Sequence, residues 1–221
     1  MDHEDLTRRT TEARNAAWST WGTVDDDVLT HLISPMFLGG PKWPNTRQAF
    51  RTVRRPGEVL LASDGLADPY DDEGVAGNGL EHECYATTAD PLEQLPGTWL
   101  WDMVWQMSQF AAGHGGLSGL LDQMTLLSTE LYDVGIPDSH RDRFVNADER
   151  VAVMLGLDDT APPSVVEGPL SRIRLVNVKL MTLEELDYVL AHNEEGRREL
   201  ARRYAAQGAP LTSSLDRPSV V

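Results

Sequence analysis

Three short strand patterns within residues 50–88 constrain the fold more than any other feature of the sequence. Residues 48–55 and 80–87 alternate in side-chain character, and 58–63 (EVLLAS) is a short apolar run. Pro56-Gly57 separates the first two patterns, and a Gly- and Asp-rich stretch precedes the third. Strands with such short connections pair antiparallel, because a parallel pair needs a longer crossover. The stretch therefore predicts a largely antiparallel sheet.

Helical patterns lie on both sides of this stretch. Residues 4–21 place apolar side chains among charged ones, with Asp5 or Thr7 as candidate N-cap. Residues 99–112 are apolar nearly all round, which predicts a helix buried across the sheet. Residues 182–185 (TLEE) form a capping box that opens a further helix. Because helices and strands are interspersed without regular alternation, we predict an α+β fold with a mixed, largely antiparallel sheet packed against helices.

The same patterns divide the chain into three parts. Residues 1–45 are predicted as an N-terminal helix and loop, with a short helix or strand at 28–33. Residues 46–208 are predicted as one α+β domain, whose last helical patterns end at Leu190 and then continue from 194 to 207. Residues 209–221 are predicted as an extended or poorly ordered tail.

Negative charge is concentrated in the middle of the chain. The 85 residues from Pro56 to His140 contain no Lys or Arg and 15 Asp or Glu, and the whole chain has a net charge of −16. We call this segment the acidic block. Nucleic acid and anionic membranes are bound through Lys and Arg, so both are disfavoured as partners. A basic protein partner complements the block, although an acidic excess that only maintains solubility explains it equally well.

Several other classes of protein are disfavoured by simple counts. The sequence has no apolar run of the roughly 20 residues that a membrane helix needs. Its N-terminus, MDHEDLTRRTTEARN, is polar and acidic, unlike a secretory signal peptide, so a cytoplasmic location is predicted. A single cysteine excludes an intramolecular disulfide and a multi-Cys metal cluster. No metal and no cofactor are predicted.

Seven acidic residues form the predicted partner-binding surface. Their spacing does not fit a calcium loop, because the alternating Asp/Asn pattern with a central Gly fails after Asp64. As a solvated surface they are suited to docking a basic partner. These residues are Asp64, Asp68, Asp71, Asp72, Glu73, Glu81 and Glu83.

A Cys–His pair is the alternative candidate site. Cys84 and His82 share one face of the third strand, and His114 follows the tryptophan-rich helix. This arrangement would serve a small hydrolase or ligand-binding enzyme, provided that a positive group stabilises the thiolate. The surrounding charges are acidic, which opposes a thiolate, and no G-x-S-x-G motif offers a serine nucleophile. A non-enzymatic protein is therefore predicted.

Three short motifs resemble those of one known family. They are Gly65-Leu66-Ala67-Asp68, Gly77-Asn78-Gly79-Leu80-Glu81 and Thr182-Leu183-Glu184-Glu185-Leu186. Together with the tryptophan-rich helix between them, they resemble the suppressor-of-fused domain family in its bacterial single-domain form. The chain departs from that pattern at residues 59–62 (VLLA), where the family often has aromatic or histidine residues.

The resemblance implies a fold and a function. The fold would be a mixture of helices and strands, and the family is a non-enzymatic, protein-binding one that supplies no catalytic residues. Bacterial relatives are often linked to toxin–immunity systems. We therefore predict a non-catalytic protein–protein interaction module of the immunity type that binds a basic partner such as a toxin. A domain with no dedicated partner remains the third hypothesis.

Overall fold

A mixed sheet forms the centre of the molecule. The computed structural model describes residues 2–70 and 77–221. In this part of the chain the strands are β1 (Thr23–Thr30), β2 (Ala49–Arg55), β3 (Glu58–Asp64), β4 (His82–Thr88), β5 (Leu127–Leu131), β6 (Val151–Leu155), β7 (Val165–Glu167), β8 (Arg172–Leu180) and β9 (Thr212–Ser213). The α-helices are α1 (His3–Trp18), α2 (Trp99–His114), α3 (Leu117–Met124), α4 (Arg141–Phe144) and α5 (Leu183–Ala206), and 3-10 helices cover Pro35–Leu38 and Asp138–His140.

The strand order across the sheet is β1-β2-β3-β4-β8-β6-β5. The first four strands pair antiparallel, as do β8, β6 and β5. The two groups join through the parallel pair β4–β8, in which Cys84 lies opposite Val176. β7 pairs with the start of β8, and β9 lies parallel to the end of β4. The prediction of an α+β fold with a mixed, largely antiparallel sheet is confirmed.

Helices cover both faces of the sheet, so there are two hydrophobic cores. On one face, Leu100 of α2 belongs to the same buried cluster as Phe50 and Cys84. On the other face, α1 and α5 pack against the alternate strand residues, and Trp18 meets Tyr85 edge to face at 5.4 Å. Side chains of a strand alternate between faces, which assigns neighbouring residues to different cores. The predicted burial of the tryptophan-rich helix is confirmed.

The N-terminal segment contributes a strand as well as a helix. Helix α1 begins before the predicted caps, because the Asp2 carboxylate accepts a hydrogen bond from the Asp5 N–H (2.8 Å). The chain then forms β1, which pairs with β2 and places Thr30 opposite Ala49. A bulge interrupts this pairing between Val24 and Val28. Of the segment predicted as a short helix or strand (28–33), only residues 28–30 belong to β1, which starts and ends earlier than expected.

The C-terminal residues are packed into the fold. The predicted capping box at the start of α5 is present, and one helical segment continues to Ala206 across a kink at Asn193 (φ 52°). After it, Leu211 and Leu215 are buried and β9 pairs with β4. Arg217 forms a buried ion pair with Glu185 (2.5 Å). The tail, predicted as extended or poorly ordered, is thus held in place by the sheet and α5.

Candidate functional site

The predicted acidic site centres on one buried arginine of α1. Arg14 Nη2 donates to Asp64 Oδ1 and to Asp68 Oδ1, each at 2.7 Å, and its Nη1 donates to Glu83 Oε1 at 2.7 Å. All four side chains are at most 3% exposed. The carboxylates come from the end of β3, the following turn and β4. One guanidinium therefore ties the N-terminal helix to the middle of the sheet.

A second arginine extends this network toward the edge of the sheet. Arg51 of β2 donates through Nη2 to Asp64 Oδ2 (2.9 Å). Its Nη1 donates to the carbonyl oxygens of Asp25 (3.1 Å) and Asp26 (3.3 Å), which lie in the bulge of β1. We call Arg14, Arg51, Asp64, Asp68 and Glu83 the Arg14 cluster. Its two arginines face three carboxylates, so the buried charge is largely balanced.

Glu83 also fixes the turn after β3. Its carboxylate accepts hydrogen bonds from the backbone N–H groups of Gly65 (3.1 Å) and Ala67 (3.1 Å) and from the Ser63 hydroxyl (2.5 Å). A side chain in β4 thus holds residues 63–67, because the donors of a tight turn need acceptors when they are buried. This turn contains the first of the three family-like motifs.

The second motif packs directly on the first. Gly79 has φ +51°, and a Cβ there would lie 2.5 Å from the carbonyl oxygens of Leu66 and Asp68, so only glycine fits. The Asn78 side chain donates to Thr10 Oγ1 of α1 (2.8 Å). Its oxygen accepts from two backbone N–H groups of the loop before β8. The two motifs therefore form one structural unit with α1, although eight residues separate them in sequence.

Burial and neighbouring charge act in opposite directions within the cluster. Burial raises the pKa of Glu83 to about 7, and the Arg14 charge only partly opposes this shift. Burial also raises the pKa of Asp64, but the charges of Arg14, Arg47 and Arg51 outweigh it and hold that pKa below its usual value. Asp64 is therefore charged at neutral pH, whereas Glu83 titrates near neutrality.

The structure corrects the predicted acidic surface. Asp64, Asp68 and Glu83 are buried, so the expectation that they are exposed for docking is wrong. Their charge is matched by arginines distant in sequence, which the local sequence pattern does not show. Glu81 is exposed, as predicted. The other predicted residues, Asp71, Asp72 and Glu73, lie outside the described residues.

Other arginines that lie outside the acidic block in sequence also form ion pairs with its carboxylates. They form ion pairs on both sides of the sheet, so the sequence segregation of charge is only partly kept in space. In the described part of the block, exposed carboxylates that are free of these ion pairs lie in three separate places: just before β4, in the loop before α2 and between β5 and α4. The further ion pairs are Arg55–Glu58, Arg174–Asp122 and Arg150–Glu130. Among the described residues of the block, the exposed carboxylates outside these ion pairs are those of Glu81, Glu93, Asp133 and Asp138, and Asp122 is exposed but paired with Arg174.

The Cys84–His82 pair lacks the properties of a catalytic dyad. Cys84 is completely buried, and burial together with the Glu83 charge raises the pKa of its thiol. Burial lowers the pKa of His82 to about 4, so its ring is neutral at neutral pH. His82 Nδ1 lies 3.2 Å from Ser118 Oγ, and His114 stacks on Phe110 at the exposed end of α2. No positive group that stabilises a thiolate is therefore evident around Cys84 in the described structure.

Metal and membrane sites are not found in the part of the chain that the structure describes. No group of three or more His, Cys, Asp or Glu side chains there could hold a metal ion. None of the described helices is long and apolar enough to cross a membrane.

Comparison with solved structures reveals the fold. The chain is similar to a structure titled as the Sufu–Fu complex, with a TM-score of 0.57 and 14% identity over 97% of this chain and 92% of that one. It is also similar to Suppressor of Fused from Drosophila, with a TM-score of 0.56 and 15% identity over 97% of this chain and 51% of that one. The chain thus spans about half of the Drosophila protein. No protein-family profile and no curated protein matches the sequence.

The predicted suppressor-of-fused-like fold is therefore confirmed. The family-like motifs account for the turn after β3, its partner loop before β4 and the capping box of α5. The Arg14 cluster was missed at the sequence level. Its only signal was a lone arginine at position 14 among the apolar residues of an amphipathic helix pattern.

Proposed function

We propose that this chain is a non-catalytic protein-interaction module. The observation that carries the proposal is the similarity of its whole fold to suppressor-of-fused structures, one of which is described as a complex with Fu. The buried thiol and the neutral His82 support the non-catalytic part, because neither group is prepared for nucleophilic chemistry.

The partner that we propose is a basic protein. Its docking would rest on the net charge of −16 and on the carboxylates of the acidic block that stay exposed. Opposite charge accelerates encounter and selects against acidic competitors. A basic toxin, neutralised in the manner of an immunity protein, is the specific partner that we infer from the family resemblance.

The Arg14 cluster has a supporting role in this proposal. Asp68 and Asn78 anchor the chain on either side of residues 71–73, which carry three of the predicted docking carboxylates. Arg14 contacts the first anchor and Thr10, from the same helix, contacts the second. These contacts therefore fix the positions of Asp68 and Asn78 relative to α1.

A salt-dependent capture experiment tests the proposal. The purified protein is immobilised, and proteins retained from a native lysate at low salt are identified and purified. The affinity of the retained protein is then measured at low and high salt. We expect binding that weakens with salt and that weakens further when exposed carboxylates of the block are neutralised.

A matched variant controls for net charge. Four exposed carboxylates outside the block are neutralised in the control, so both variants change the charge by the same amount. Absence of any retained protein, or an affinity that is independent of salt and identical in both variants, would overturn the proposal. The test variant is Glu81→Gln/Glu93→Gln/Asp133→Asn/Asp138→Asn, and the control is Asp148→Asn/Asp158→Asn/Asp187→Asn/Glu195→Gln.

A further inference from the structure

The loop between β1 and β2 exposes a concentrated set of large apolar side chains. Leu32 is 106% exposed, Ile33 61%, Phe37 69% and Leu38 77%. We call these four residues the apolar loop. Single exposed apolar residues are common on soluble proteins, but several neighbouring ones mark an interaction surface.

Local hydrogen bonds hold this loop in its shape. The Phe37 N–H donates to the Ser34 carbonyl (3.0 Å), and Gly39 ends the short 3-10 helix in the left-handed conformation. Beyond the helix, Gln48 Nε2 donates to the Pro41 carbonyl oxygen (3.0 Å). Gln48 Oε1 accepts from Gln109 Nε2 of α2 (2.9 Å). The exposure is thus part of an ordered structure that is fastened to α2.

A cavity of about 330 Å³ lies beside the apolar loop. His31, Ser34 and Phe37 contribute to its walls. His31 Nε2 and Ser34 Oγ are buried and have no hydrogen-bond partner in the described part of the chain. Both atoms are enclosed by protein, so recognition by this loop rests on its exposed apolar side chains.

Two exposed carboxylates lie in β1, five and six residues before the first residue of the apolar loop. Asp25 pairs with Arg54 (3.0 Å), whereas Asp26 and Asp27 are exposed at the bulge of β1. They line a groove of about 550 Å³ together with Leu95. Because β1 is an edge strand, nothing on the outer side of the sheet covers this groove among the described strands.

We propose that the apolar loop with Asp26 and Asp27 forms a docking surface for a segment of another protein that combines Lys or Arg with bulky apolar side chains. The apolar side chains contact the loop and its cavity, and the basic ones contact the two carboxylates. A second copy of this chain fits poorly, because it would bring like charges together. This inference rests on the proposed function and identifies the chemistry of its partner.

Selection from a displayed library of random peptides tests the proposal. We expect the enriched peptides to place Lys or Arg close to Leu, Phe, Met or Trp. Their dissociation constants are then measured by fluorescence anisotropy with synthetic copies. We expect Leu32→Ser/Phe37→Ser to weaken binding by at least about 10-fold. We expect Asp26→Asn/Asp27→Asn to weaken it and to reduce its salt dependence.

Matched controls come from the exposed surface of α5. Leu190→Ser removes an exposed leucine, and Asp187→Asn/Glu195→Gln removes two exposed charges, so both should leave the affinity within about twofold of the original. Circular dichroism should be unchanged in every variant, since each replaced side chain is exposed.

Four outcomes would overturn the inference, and the last of them leaves the proposed function standing. The first is failure to enrich any peptide, and the second is binding that is unaffected by the Leu32 and Phe37 changes. The third is a protein that sediments as a dimer and becomes monomeric in the Leu32→Ser/Phe37→Ser variant, which would make a second copy the occupant. The fourth is binding of the peptides or of a captured partner that is weakened only when Glu81, Glu93, Asp133 and Asp138 are neutralised. In that case this inference fails while the proposed function stands.

Discussion

Replacement of Arg14 with methionine should destabilise the protein strongly. Arg14 makes three charge-assisted hydrogen bonds of 2.7 Å to carboxylates that are almost completely buried. Removing one member of a buried ion pair leaves uncompensated charge and costs about 3–5 kcal/mol. Asp64 would keep Arg51, and Glu83 would keep its backbone donors, so the loss should stay within this range.

Urea denaturation at neutral pH measures this loss. We expect a lower midpoint with little change in slope, and a melting temperature lower by about 6–20 °C for a chain of this size. Arg14→Lys should also destabilise, because a single ammonium cannot reproduce the fork that reaches three carboxylates.

A compensating variant separates charge from packing. In Arg14→Met/Asp68→Asn/Glu83→Gln the uncompensated charges are removed, so we expect much of the lost stability to return. The reasoning would be refuted if Arg14→Met cost less than about 1 kcal/mol or if the triple variant were no more stable than the single one.

Three further changes probe other parts of the structure. The pKa of Glu83 is about 7 in the folded protein and 4.5 ordinarily, so its contribution to stability is full below pH 4.5 and is lost as the pH rises through 7. Denaturation midpoints measured across this range should show that loss in the wild type and not in Glu83→Gln. Equal pH profiles for the two proteins would contradict the assignment. Cys84 should resist a soluble thiol reagent in the native protein and react in denaturant, whereas rapid native labelling would favour the enzymatic alternative. Thr182→Ala removes the capping box of α5 and should lower the free energy of unfolding by about 1 kcal/mol, while an unchanged denaturation midpoint would show that the cap adds little.

Local patterns predicted much of the fold because they report local physics. Side-chain alternation located β2 and β4, and a short apolar run located β3, to within one or two residues, since a strand between two layers repeats every second residue. The capping box marked the start of α5 correctly for the same reason: its hydrogen bonds lie within four residues. The predicted bounds of α2 (99–112) were also close to the observed ones, because a helix that is apolar nearly all round must be buried on several sides.

Errors arose where distant contacts decide the structure. The sequence of β1 did not indicate that it pairs with β2. Its acidic bulge is held by Arg51 of β2, which is remote in sequence. The C-terminal tail contains nothing that is strongly strand-forming, yet Arg217 and two leucines fasten it to α5 and to the sheet. In both cases the stabilising partner is remote in sequence.

The candidate site shows the same division most clearly. The sequence by itself determined the central strands β2 to β4, the helices α2 and α5, the excess of negative charge and the lack of a recognisable catalytic motif. Only the tertiary structure decided which carboxylates are exposed. Arg14 lies 50 residues or more from its three partners, and Coulomb attraction in a dry interior depends on distance in space and not along the chain. Folding thus places three of the four described residues of the predicted docking surface in the internal frame of the protein.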